Sequence, residues 1–155
     1  MPILKINRNS ILEERINIVS KRFTIKNLND FIYTLTDKES NYVPEKSEIR
    51  FIDVCLFVRD VLENRVVEVN TFRSRYPWSK MVARTSGRNI SFNSRKNHTV
   101  ESITETISHE LVHIADSYDI VNNYGHGSNR NQGSKKNTAP IMFGELFSKY
   151  LLSIF

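Results

Sequence analysis

Residues 97–119, which decide the fold, read NHTVESITETISHELVHIADSYD. Thr99 is a favourable helix N-cap, and Glu101 and Glu105 follow it near the positive end of the helix dipole. The apolar residues after Thr99 recur three or four positions apart, the spacing of one face of an α-helix. They are Val100, Ile103, Ile107, Leu111, Ile114, Ala115 and Tyr118. The stretch therefore predicts a long amphipathic helix that begins after Thr99.

Two histidines of this helix stand four residues apart, in the sequence His109-Glu110-Leu111-Val112-His113. Positions i and i+4 share a helix face, so both imidazoles can bind one metal ion. Glu110 lies about 100° around the helix from His109, where its carboxylate can approach a metal-bound water without displacing a ligand. This is the H-E-x-x-H pattern of zinc peptidases, in which the glutamate is the general base. One zinc ion per chain is the predicted cofactor.

A catalytic zinc takes three protein ligands, so a third has to come from farther along the chain. His126, 13 residues after His113, is favoured because the glycines on both sides let the backbone approach a metal. Glu145, 32 residues after His113, is the alternative ligand, or a carboxylate behind the ligands. Asp116 would lie about 10 Å along the helix axis from His109, and it better suits accepting a hydrogen bond from a ligand histidine.

A developing oxyanion needs a hydrogen-bond donor beside the metal. Tyr124 is the nearest candidate along the sequence, with Lys135 or Lys136 behind it. The alternative interpretation of Tyr124, a plain loop aromatic, is slightly favoured.

The rest of the chain predicts one α+β domain over residues 1–155, in which a small antiparallel or mixed sheet packs on the helix with the two histidines. Residues 1–64 are mainly helical, and residues 65–155 contain the sheet, that helix, the metal-binding loop and a C-terminal helix. Four helices are predicted: one that begins at Ser10, and three over residues 28–35, 48–63 and 141–155. Strands are predicted over 65–72, 80–84 and 89–93, with a hairpin turn at 85–88. Residues 37–47 and 122–138 are predicted loops.

Composition excludes several classes of protein. With 155 residues, 39% hydrophobic and 25% charged, the chain matches a globular domain and not a disordered one. No run of eighteen apolar residues is present, so no membrane span is predicted. The single cysteine, Cys55, excludes a disulfide framework and indicates a cytosolic protein, with export into a host cell by a route without a cleaved signal as the alternative.

Charge is unevenly distributed along the chain. Residues 69–100 contain seven Lys or Arg and no acid, whereas residues 101–119 contain five acids and no Lys or Arg. The basic block predicts a surface for an anionic partner: an acidic protein segment, DNA, or the acidic helix of the protein itself. Four of these cations are expected to line the substrate-binding cleft beside the metal site: Arg84, Arg88, Arg95 and Lys96. Aromatic residues interleave with them at Tyr76, Trp78 and Phe92, as on surfaces that bind single-stranded nucleic acid.

The metal motif followed by Gly125-His126-Gly127 resembles the SprT-like metallopeptidases, the family that includes Spartan. The resemblance covers residues 88–130 and implies a zincin-like fold, three histidine ligands and a catalytic Glu110. It also implies that the strand Asn89–Asn93 is the sheet edge on which a protein or peptide substrate pairs. The zinc ribbon that often follows in that family is absent.

The chain also resembles a second group, the gluzincins. In their pattern a glutamate follows H-E-x-x-H by some thirty residues, as in clostridial neurotoxin light chains. The segment Glu145-Leu146-Phe147 is similar to the sequence around that glutamate.

Two functions therefore stay open. The first is a zinc-dependent endopeptidase, and the second is a nucleic-acid-associated or interaction protein whose zinc site is structural. The two differ in coordination, because structural sites use four protein ligands and catalytic sites leave one position open. The oligomeric state is not predicted.

Overall fold

Helices and a small sheet make up the chain in the computed structural model, which describes residues 11–126 and 137–155 together with the backbone of residues 2–4. In chain order the elements are β1 (Pro2–Leu4), α1 (Ile11–Ser20), α2 (Ile25–Thr34), α3 (Asp37–Asn41), α4 (Phe51–Asn64), β2 (Val67–Phe72), β3 (Ala83–Ser86), β4 (Asn89–Asn93), α5 (Val100–Tyr118) and α6 (Ala139–Ile154). They form a single α+β domain, as the sequence predicts.

Helix α5 begins where the sequence predicts. The backbone N–H of Ser102 donates to the Thr99 hydroxyl at 3.1 Å, and the Ser102 hydroxyl accepts from the Thr99 N–H at 2.9 Å. This reciprocal capping satisfies donors that a helix start otherwise leaves without partners.

The four strands form one mixed sheet in the order β1-β2-β4-β3. β1 and β4 both pair with β2 in parallel, and β3 pairs with β4 antiparallel. Strand β3 is therefore an edge of the sheet and β4 is internal, so the prediction that Asn89–Asn93 is the edge strand is wrong. A two-residue turn joins β3 to β4, and its first residue, Gly87, has a φ of 58°, which favours glycine.

The core lies between one face of the sheet and the helices. Strands β2 and β4 contribute fully buried Val69 and Ile90, and the inner face of α5 contributes Ile107 and Leu111. Aromatic rings from α2, α6 and the segment between α1 and α2 pack against one another at centroid distances of 5.1–6.1 Å: Phe23, Phe31, Phe143 and Phe147. Each buried side chain of this size contributes about 1.5–3 kcal/mol of transfer free energy, so these contacts hold α6 against α2 and the segment before it.

Several local predictions differ from the structure. Helix α3 occupies the start of the segment predicted as loop 37–47, because Thr36 and Glu39 form a capping box that the pattern did not suggest. Helix α2 begins earlier than predicted, with Thr24 and not Asn27 as its cap. His98, expected to face water, is only 4% exposed, and its Nε2 lies 2.7 Å from the backbone oxygen of Asn93. The predicted cap Ser10 lies outside the described residues.

Cys55 is a free, buried residue of α4, as expected of a small core residue. Burial raises the pKa of its thiol, because the apolar surroundings disfavour the thiolate. Cys55 is therefore an inert part of the core.

Within the described ranges, no helix combines the length and the apolar character needed to cross a lipid bilayer.

Candidate metal centre

Three histidine side chains converge at the outer face of α5. His109 and His113 come from consecutive turns of the helix, and His126 comes from the segment that follows it. The Nε2 atom of His109 lies 3.1 Å from Nε2 of His113 and 3.0 Å from Nε2 of His126. One nitrogen from each ring lies within 4.8 Å of the others, close enough for the three to bind a metal ion.

These distances suit tetrahedral coordination. With metal–nitrogen bonds of about 2.0–2.1 Å, two ligands at the tetrahedral angle are about 3.3 Å apart. The Nε2 separations of 3.0 and 3.1 Å are close to that value. All three histidines are half-buried, so the group is partly accessible to solvent.

A hydrogen bond to Asp116 holds the segment that carries His126 against α5. The backbone N–H of Tyr124 donates to Asp116 Oδ1 at 2.9 Å. A Cβ on Gly125 would come within 3.0 Å of Asp116 Oδ2 and 3.9 Å of His113 Nδ1. The absence of a side chain at Gly125 therefore lets the chain pass close to the helix before it presents His126.

Thr138 supports His126 from the other side. It is the N-cap residue of α6 and is fully buried, and its Oγ1 lies 2.8 Å from Nδ1 of His126. When Nδ1 carries the proton and donates to Thr138, Nε2 keeps its lone pair for a metal. Sequence reasoning missed this contact. A threonine before Ala139-Pro140 marks a helix start, but it gives no sign that its hydroxyl meets a histidine.

Helix α6 packs closely against α5 behind His109. A Cβ on Gly144 would lie 3.2 Å from His109 Cβ and 3.4 Å from His109 Cα. Glycine in a helix interior costs about 0.5–1 kcal/mol relative to alanine. At this position its lack of a side chain allows the two helices to pack closely and sets the position of His109.

Glu110 lies beside the histidines and contacts the sheet. The Thr85 hydroxyl of β3 donates a hydrogen bond of 2.5 Å to Glu110 Oε2. Thr85 and Ala83 are half-buried, whereas Arg84 and Ser86 are exposed, so the two sides of β3 alternate as in any strand. The contact links the edge strand to the helix and holds the Glu110 carboxylate at a defined position.

A cleft of about 360 Å³ lies between this edge of the sheet and α5. Its wall includes both His109 and Glu110, so it gives access to the histidine cluster. The described residues that line it are Val82, Ala83, Ser102, Glu105, Thr106, His109 and Glu110.

Neither of the two alternative ligands belongs to the histidine group. Glu145 is exposed on α6 and lines a different surface pocket, with Lys38 and Tyr42 among its neighbours. Asp116 accepts the hydrogen bond from Tyr124 and is not part of the three-histidine group, which holds no carboxylate among the described residues. The structure thus brings His126 to the helix histidines and leaves Glu145 out, while Asp116 lies behind the group and holds the segment that carries His126.

Tyr124 occupies a position that does not suit an oxyanion donor. Its ring is fully buried and stacks on Phe57 with a centroid distance of 5.9 Å. Burial, together with the nearby carboxylates of Asp119 and Asp116, raises the pKa of its phenol. The structure therefore corrects its predicted catalytic role. Lys135 and Lys136, the other candidates, lie outside the described residues.

None of the four predicted anion-binding cations lines the cleft. Arg84 stacks over the Phe72 ring at 4.1 Å, on the sheet face away from α5, and Arg88 lies in the hairpin turn. Arg95 Nε donates to the backbone oxygen of Ser74 at 2.7 Å, and Lys96 is half-buried beyond β4. These four cations are thus not among the residues that line the cleft beside His109.

No family model matches this chain, and neither the curated proteins nor the solved structures include a match to it. The resemblance to SprT-like metallopeptidases accordingly rests on the motif residues themselves.

Proposed function

We propose that the chain is a zinc-dependent endopeptidase with a zincin-like fold, of the SprT-like type. The observation that carries the proposal is the convergence of His109, His113 and His126 in a group whose ligand atoms lie within 4.8 Å, with Glu110 in the wall of the same cleft. Three neutral imidazoles are a common ligand set of catalytic zinc, and three protein ligands leave one coordination position open.

Zinc held by these residues would polarise the scissile carbonyl and make a bound water more acidic. Glu110 is the group that takes the proton from that water and returns it to the leaving amine. Its hydrogen bond from Thr85 occupies one carboxylate oxygen and leaves the other for this exchange. Hydrolysis of the amide consumes one water, and the proton that Glu110 removes ends on the new amino group.

The substrate that fits the site is an extended protein or peptide segment. Strand β3 is a sheet edge, and Ala83 and the preceding Val82 line the cleft. An edge strand presents backbone N–H and C=O groups with which an extended chain can pair. Pairing along β3 would carry the substrate past His109 and Glu110. The free, buried cysteine suits a reducing compartment, so the cytosol is the proposed location.

Removal of the metal tests this function. Purified protein is expected to contain one zinc ion per chain by mass spectrometry and to cleave an unfolded model protein such as casein. Treatment with a chelator should abolish cleavage, and added zinc should restore it, because zinc is the group that would make the attacking water acidic. Zinc far below one ion per chain, or cleavage that persists in metal-free protein, would overturn the proposal.

A nucleic-acid-associated protein with a structural zinc site is the second candidate, and a surface aromatic pair favours it. Tyr76 and Trp78 stack on each other at 4.9 Å, and Trp78 is 75% exposed. The Arg75 guanidinium lies 5.4 Å from the Tyr76 ring centre. Phe92, the third predicted aromatic of this surface, is fully buried instead. A structural site would also need a fourth ligand, and the group of described residues has three.

Trp78 is the only tryptophan, so its fluorescence reports directly on this surface. Under the second candidate, a single-stranded oligonucleotide should quench the emission at low salt and lose affinity as salt rises, because bases stack on the ring and phosphates meet the cations. Emission that stays constant across an oligonucleotide titration at low salt would remove this candidate.

A further inference from the structure

The charge of the cleft is opposite to that of the chain as a whole. The protein has a net charge of +5, yet the described lining of the cleft has two carboxylates, Glu105 and Glu110, and no lysine or arginine. No cation of the basic block is among these described lining residues. A substrate side chain in the cleft therefore meets an acidic environment.

The two carboxylates have different surroundings. Glu110 accepts the hydrogen bond from Thr85 and lies next to the histidines. Glu105 is exposed and stands four residues before His109, which places it about 6 Å farther along the same helix face. That distance is close to the reach of a lysine or arginine side chain whose backbone lies at His109.

The other lining groups suit a long basic side chain. Val82 and Ala83 form an apolar wall on the β3 side, against which a methylene stem can pack while its charged head stays hydrated. The Ser102 hydroxyl is engaged in the capping box with Thr99. Glu105 is thus the charged group in the cleft that neither the cap nor the proposed proton transfer uses.

We propose that Glu105 determines specificity, and that the cleft binds a lysine or arginine of the substrate next to the scissile bond. The inference rests on the proposed endopeptidase function and names its substrate class. It differs from the expectation drawn from the basic block, which favoured an acidic partner.

Cleavage-site mapping tests the inference. An unfolded protein mixture is digested, and the new termini are identified by mass spectrometry. Wild-type protein should show lysine or arginine enriched at one position beside the cleaved bond. Glu105→Gln should lower kcat/KM for a lysine-containing peptide by about fivefold, the size that an exposed ion pair supports. Glu105→Lys should shift the preference towards acidic residues at that position.

Glu101 provides the matched control. It is an exposed glutamate on the same helix and is not among the residues that line the cleft. Glu101→Gln and Glu101→Lys change the net charge equally and should leave the cleavage preference unchanged. If the cleavage preference shifted equally in the Glu101 variants and the Glu105 variants, the cause would be a long-range effect of charge, and the role of Glu105 would be overturned.

Peptide binding separates this inference from the proposed function. Fluorescence anisotropy of two labelled peptides, identical except for one lysine or one glutamate, is measured with the Glu110→Gln protein, so that no cleavage is needed. Tighter binding of the lysine peptide, lost in the Glu105→Lys, Glu110→Gln double variant, supports the inference even if cleavage is not detected. Equal binding of both peptides, or cleavage with no basic preference, would overturn it and leave the endopeptidase proposal standing.

Discussion

Replacing Glu110 with glutamine should abolish proteolysis and leave the zinc content unchanged. The glutamine side chain has nearly the same shape, and its carbonyl oxygen can still accept the hydrogen bond that Thr85 donates to Glu110. An amide cannot take a proton from water at neutral pH. Loss of a general base lowers a rate by about 10²–10⁴-fold, so the cleavage of casein should fall by at least that lower limit.

Three measurements make this result interpretable. Zinc per chain and the free energy of unfolding should match those of the wild-type protein, because Glu110 is not a member of the histidine group. Glu101→Gln, a substitution of the same type on the exposed face of α5, should keep full activity. Undiminished cleavage by the Glu110→Gln protein would remove the peptidase assignment, whereas lost zinc would show that Glu110 acts on the metal site itself.

Replacing Gly144 with valine should destabilise the protein and weaken metal binding together. The Cβ alone would lie 3.2 Å from His109 Cβ, and the two methyl groups of valine would extend farther into the space next to α5. Overpacking of this kind costs about 1–3 kcal/mol in the free energy of unfolding. Because the contacted residue is His109, separation of the helices should also move its imidazole away from His113 and His126.

The loss of stability should increase with the size of the side chain added at position 144. Gly144→Ala gains about 1 kcal/mol of helix propensity, and this gain is offset by one tight contact with His109. The free energy of unfolding, measured by chemical denaturation, should therefore change little. Lys149→Val, on an exposed position of the same helix, gives the cost of valine in a helix without the steric contact. If Gly144→Val matched Lys149→Val in stability and kept wild-type zinc affinity, the close approach of α6 would have no role in positioning His109.

Local patterns were sufficient for the parts of the site that lie within one helix. The apolar spacing after Thr99 predicts α5, and the interval of four residues predicts that His109 and His113 share a face. Both follow from the 3.6-residue turn, which a sequence displays directly. The favoured third ligand, His126, was one of three candidates, and spacing alone did not choose among them.

Contacts between distant segments could not be predicted in the same way. Thr85 meets Glu110 across 25 residues, and Thr138 meets His126 across 12. The edge strand was misassigned for the same reason, since the order β1-β2-β4-β3 depends on which strands pair and not on any one strand's composition. The basic residues were expected near the cleft because the strand taken as the substrate-binding edge lies within the basic block, but strand alternation places Arg84 on the opposite face of the sheet.

The sequence by itself determined the long helix, its two histidines one turn apart and the carboxylate beside them, because helical periodicity is a property of neighbouring residues. Only the tertiary structure decided which residues complete that group, since Asp116 and Gly125 bring His126 to the helix and Gly144 lets α6 approach His109. The same packing set the charge of the described cleft lining, which includes Glu105 and none of the four predicted cations. Such outcomes depend on how sheet and helices pack, and packing is decided by the whole chain at once.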